Sequence, residues 1–138
     1  MPLLAVEDND DMRNMIAEAL QSDAVAVNAA STGEEAISII GKDGIPELLI
    51  TDIDLGVGIN GISLARYVRE RDPNIPILII SGKPWLLDTS LVAKNVHYLH
   101  KPFKLGTLLN TVRKLKNISP PQAGARRRSA AADLVNVL

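Results

Sequence analysis

The chain has 138 residues, enough for one domain and too few for two of ordinary size. It has no cysteine, which excludes disulfides, zinc–thiolate centres and thiol nucleophiles, and Lys+Arg 15 against Asp+Glu 16 gives no net field for nucleic acid or membrane. Hydrophobic residues make up 46% but aromatics only 3%, so the core has to be aliphatic.

The first apolar run, Leu3–Val6, has no basic segment before it and turns acidic at Glu7-Asp8. It reads as a strand rather than a signal peptide. Met12, Met15/Ile16 and Ala19/Leu20 then form a helical stripe, followed by a second run at 24–29. Thr32-Gly-Glu-Glu35 reads as a capping box opening a helix with Ala36, Ile37 and Ile40 on its inner face. The third run, 48–51, ends at Asp52. The next helix carries Ile62, Ala65 and Val68 and stops before Asp72-Pro73. The fourth run, 75–80, ends at Ser81. A fourth helical segment at 85–94 has a weak stripe because of Asp88-Thr89-Ser90. The fifth run, 97–100, leads to Lys101-Pro102, and Leu105, Leu108/Leu109, Val112 and Leu115 mark a last helix. No run approaches a membrane span.

Short runs without clean alternation suit strands buried on both faces. Strict strand–helix alternation predicts an α/β fold: a doubly wound, five-stranded parallel sheet in the flavodoxin-like order 2-1-3-4-5 with five helices. The predicted domain is 1–118. At 119–138 the composition shifts to a Ser-Pro-Pro linker and a disordered tail bearing Arg126-Arg-Arg128. Residues 1–118 hold 12 basic and 15 acidic residues, a net of −3, and the tail holds 3 and 1, a net of +2.

Ligands in such sheets sit beyond the carboxyl ends of the strands. The predicted order makes the ends of strands 1, 3, 4 and 5 contiguous, and these ends carry Glu7-Asp8, Asp52, Ser81 and Lys101. Strand neighbours lie about 4.8 Å apart, so the three carboxylates converge and call for a hard cation such as Mg²⁺. Lys101 and the Ser81 hydroxyl suit the oxygens of a dianion on Asp52. A carboxylate nucleophile, a divalent metal, a lysine and a hydroxyl are the parts needed to move a phosphoryl group onto Asp52. Taken singly each residue is an ordinary cap or turn; the joint placement carries the reading.

These residues resemble the response-regulator receiver domain, stand-alone type. Val-Glu7-Asp8-Asn, Thr-Asp52-Ile-Asp-Leu, Ile-Ile-Ser81-Gly and Lys101-Pro102-Phe103 match its motifs in order and spacing, with Tyr98 three before the lysine. The resemblance implies that a histidine kinase or phosphotransfer protein phosphorylates Asp52 with Mg²⁺. Asp8, Asp52 and the main-chain carbonyl of Asp54 would hold the metal, with Glu7 acting through water. Ser81 and Tyr98 would switch, remodelling the face formed by the 85–94 segment, strand 5 and the last helix. The chain would catalyse its own phosphorylation and dephosphorylation in the cytoplasm, and its output would be protein contact or onward phosphotransfer, without nucleic acid or membrane insertion.

Two departures stand out. Gly56 replaces a common proline, and Gly61 lies nine residues after Asp52, one more than the commonest spacing. The loop between them is expected to be longer and mobile. Asp54 and Lys83 should flank the mouth of the site, where they either pair and slow hydrolysis or remain solvated. Trp85-Leu86-Leu87 suits a partner anchor or a cover for the core equally. His97 and His100 face opposite sides of a strand and make poor metal ligands. The rival readings are a degenerate receiver that binds without phosphorylation and, on Asp52-Ile53-Asp54, a haloacid-dehalogenase-type aspartyl phosphatase. A flavin or nucleotide domain lacks its phosphate-cradling glycine loop here.

Overall fold

The structure, a computed structural model, describes residues 2–82 and 95–118. Its elements are β1 (Leu3–Val6), α1 (Asp10–Ser22), β2 (Val27–Ala30), α2 (Gly33–Asp43), β3 (Leu49–Asp52), α3 (Gly61–Arg71), β4 (Ile77–Ser81), β5 (Val96–His100) and α4 (Leu105–Ile118). The helical segment expected at 85–94, with Lys83 and Trp85-Leu86-Leu87, lies outside the described residues, as does the 119–138 tail.

The strands are all parallel and ordered β2-β1-β3-β4-β5. Every residue of β1, β3 and β4 is buried, which is why these runs are apolar without alternation. The two edge strands are only half-buried. On one sheet face Leu4, Leu49, Ile77 and Ile79 pack with Ala36 and Ile40 of α2 and Leu64, Ala65 and Val68 of α3. On the other, Leu3, Ile50, Leu78 and Ile80 pack with Ile16 and Leu20 of α1 and Leu108, Val112 and Leu115 of α4. Alternate residues of one strand thus feed two separate cores. Met15 and Leu105, expected in helical stripes, are over a third exposed.

Caps fix where the helices begin. Asn9 Oδ1 accepts the Met12 N–H at 2.8 Å, Asn60 Oδ1 accepts that of Ser63 at 2.8 Å, and Thr32 Oγ1 accepts that of Glu35 at 3.0 Å. Each cap stabilises its helix by about 1 kcal/mol. The capping box is altered: Glu35 reaches back to the N–H and hydroxyl of Ser31, one residue before the cap. The second strand starts at Val27 because 23–25 still close α1. The N–H groups of Asp23, Ala24 and Val25 donate back to carbonyls at the helix end, and Ala24 takes φ 61°.

Candidate functional site

At the carboxyl ends of β1, β3, β4 and β5 lies an open cleft of about 580 Å³ lined by Glu7, Asp8, Asn9, Asp52, Asp54, Ser81, Gly82 and Lys101. Six of these are the residues singled out from the sequence. Asn9 and Gly82 were not; Asn9 is the N-cap of α1, a signal legible in its position before an acidic first turn. Tyr98 stands behind the cleft, on the sheet face of α3.

Register brings these groups together. Thr51 pairs with Val6 and with Ile79, so Asp52 and Glu7 leave adjacent strands at one level. Ser81 pairs with His100, one residue before Lys101, and the Lys101 N–H donates to the Ser81 carbonyl at 3.0 Å. The Lys101-Pro102 peptide is cis.

Lys101 Nζ donates to Asp52 Oδ2 at 2.7 Å and to Glu7 Oε1 at 3.0 Å. Both carboxylates are nearly buried, at 9% and 3% side-chain exposure, so the ammonium is their principal compensation. Burial pushes Glu7 above its ordinary value, against the opposing pull of Lys101 and the Asn9 N–H. Burial by itself would lower Lys101, but its hydrogen bonds to Asp52 and Glu7 outweigh that and raise it. The lysine is therefore held charged. The Tyr98 hydroxyl donates to the Ser81 carbonyl at 2.8 Å, and burial, then the Asp52 charge, raises that phenol.

Glu7, Asp8 and Asp52 each offer one oxygen, all within 4.8 Å of one another. Such an all-oxygen set, with Asp8 exposed at the mouth, fits a hard divalent cation that keeps part of its water shell. The Asp54 N–H donates to Asp52 Oδ1 at 3.3 Å, and Asp54 Oδ1 accepts the Gly56 N–H at 3.1 Å. Further hydrogen bonds tie the loop after β3 to its surroundings. Gly61 N–H donates to the Ile53 carbonyl at 2.8 Å and Ile59 N–H to Glu34 Oε2 at 3.1 Å. Gly56 and Gly58 take φ 77° and 100°, which only glycine adopts cheaply.

Residues 3–113 match the response regulator receiver domain. The chain is 37% identical over 138 residues to the sensor histidine kinase TmoS of Ectopseudomonas mendocina, covering 97% of this chain and 14% of that protein. It is 32% identical over 115 residues to the response regulator receiver protein CpdR of Brucella abortus, covering 82% of this chain and 94% of that one. A crystal structure of a response regulator receiver protein from Sinorhizobium medicae superposes with a TM-score of 0.76 at 29% identity, covering 86% of this chain and 95% of the other. Several curated relatives are longer, the chain spanning 14%, 44% and 55% of three of them. The chain belongs to the response-regulator receiver family, the receiver domain of two-component systems.

Proposed function

We propose that Asp52 is the phospho-acceptor of this receiver. Its carboxylate oxygen attacks phosphorus of a phosphohistidine on a histidine kinase or phosphotransfer protein. The O–P bond forms as the N–P bond breaks, and the imidazole leaves with its proton restored from solvent. The observation that carries this reading is Lys101 Nζ at 2.7 Å from Asp52 Oδ2, in a cleft where Asp8 and Glu7 converge. A buried carboxylate next to a fixed ammonium is ready to become an acyl phosphate whose oxygens that ammonium can hold.

Asp8, Asp52 and the Asp54 carbonyl would hold Mg²⁺, with Glu7 acting through water. When bound, the ion neutralises phosphoryl oxygens during transfer. The Ser81 hydroxyl would donate to a phosphoryl oxygen, and Tyr98, already hydrogen-bonded at Ser81, would transmit the change to β5 and α4. That face, with the 85–94 segment, is the proposed contact for a downstream protein, unless Asp52 passes its phosphoryl group onward. Asp54 and Lys83 are proposed to tune phosphoryl lifetime, and the protein is proposed to work in the cytoplasm. Domain limits of 1–118 and a tail at 119–138 belong to the same proposal.

Incubation with acetyl phosphate and Mg²⁺, read by intact mass, tests it. One phosphoryl group should be gained, and none in Asp52→Ala or without Mg²⁺. No gain in the unaltered protein favours a degenerate receiver, and turnover of small phosphate esters favours a phosphatase.

A further inference from the structure

The acceptor loop is held in its middle by a residue that sequence reading did not connect to the site. Glu34, in the first turn of α2, accepts the Ile59 N–H at 3.1 Å across 25 residues of sequence. Contact there is close: a Cβ on Gly58 would lie 2.6 Å from Glu34 Oε2, and one on Gly33 would lie 2.9 Å from Ile59 Cβ and its carbonyl oxygen. Two glycines and a carboxylate therefore interlock the start of α2 with the loop. At its other end the same loop reaches the chemistry. Gly56 stands where an added Cβ would be 3.8 Å from Asp8 Oδ2, its N–H is held by Asp54, and the Asp54 N–H is held by Asp52. A stretch of 56–61 with three glycines loses much conformational entropy on ordering, so a hydrogen-bond acceptor fixed at its middle decides how well it is held.

We infer that Glu34 is a positioning residue for the phosphoryl site, fixing the 56–60 loop and through it the Asp54 backbone beside Asp8 and Asp52. The inference rests on Asp52 being the acceptor.

Glu34→Gln keeps an acceptor oxygen for the Ile59 N–H, whereas Glu34→Ala removes it. In the full chain, Glu34→Ala should speed amide hydrogen exchange at Gly58 and Ile59 and weaken Mg²⁺ binding by about tenfold, the low end for a residue acting at one remove from a metal. Phospho-Asp52 should decay faster, and Glu34→Gln should restore all three toward the unaltered protein. Glu34→Asp, which keeps the charge at the start of α2 but shortens the reach to the Ile59 N–H, should mimic Glu34→Ala and serves where that variant folds poorly. Mg²⁺ affinity and phosphoryl decay within about twofold of the unaltered protein in Glu34→Ala or Glu34→Asp overturn the inference. So does Glu34→Gln behaving as Glu34→Ala, since the helix-end charge would then be the cause. If the unaltered protein takes up no phosphoryl group, the reading of Asp52 fails, while exchange and Mg²⁺ titration still judge the Glu34 contact.

Discussion

Lys101 Nζ lies 2.7 Å from Asp52 Oδ2, although the two residues are 49 positions apart. Parallel β3, β4 and β5 make that contact by delivering both residues to one end of the sheet. Because Glu7 shares the same ammonium at 3.0 Å, removing the lysine leaves two buried carboxylates facing each other. Lys101→Met should therefore lower unfolding free energy by about 2–4 kcal/mol. Urea unfolding checks this. Moderate salt should recover little of the loss, because buried charges are poorly screened.

Gly61 opens α3 directly under β3. A Cβ there would overlap the backbone carbonyl oxygen of Asp52 and lie 2.8 Å from its carbonyl carbon, so strand or helix must move. Gly61→Ala should destabilise by about 3 kcal/mol or more. Gly41 in α2 and Gly106 in α4 have nothing within 4 Å of an added Cβ. Alanine at either position should stabilise by about 0.5–1 kcal/mol through helix propensity alone. Three thermal or urea curves compare the outcomes.

His97 Nε2 is buried without a hydrogen-bond partner among the described residues. Burial, then the charges of Lys114 and Arg69, lowers its pKa from 6.5. The unfolded chain takes up this proton where the folded chain resists it. The contribution to stability is thus complete above about pH 6.5 and is lost as pH falls through the folded value. Glu7, raised by burial, has the opposite sign: its contribution is present at low pH and lost as pH rises through its folded value. Comparison of His97→Leu with the unaltered protein separates the two. The variant should lose less stability between pH 7.5 and 5.5, and identical slopes would count against His97.

The Tyr98 hydroxyl donates to the Ser81 carbonyl, but that carbonyl also accepts the Lys101 N–H. Tyr98→Phe leaves no orphaned acceptor. The cost should be only about 0.5–1 kcal/mol, read from the urea midpoint.

Much of the molecule is legible in its residues. The central strands announce themselves as unbroken apolar runs because they are buried on both faces, and Ile62, Ala65 and Val68 mark α3 through a period that burial enforces. Less legible are features whose cause lies elsewhere in the chain. Met15 belongs to the expected stripe yet is 38% exposed, because α1 meets the sheet along Ile16 and Leu20 instead. The loop after Asp52 reads as mobile from its glycines. Nothing local in that loop reveals the carboxylate that Glu34 extends to it from α2.

The sequence alone determined the alternation of strands and helices, the aliphatic composition of the core and the identity of the polar residues ending four strands. Those follow from side-chain chemistry and spacing, which are local. Only the tertiary structure decided that Lys101 is shared between Asp52 and Glu7, that Tyr98 donates to the Ser81 carbonyl, and that Glu34 accepts the Ile59 N–H of the loop after β3. Each joins residues 17 to 94 positions apart, and such contacts exist only once strand register has brought the partners within hydrogen-bond reach.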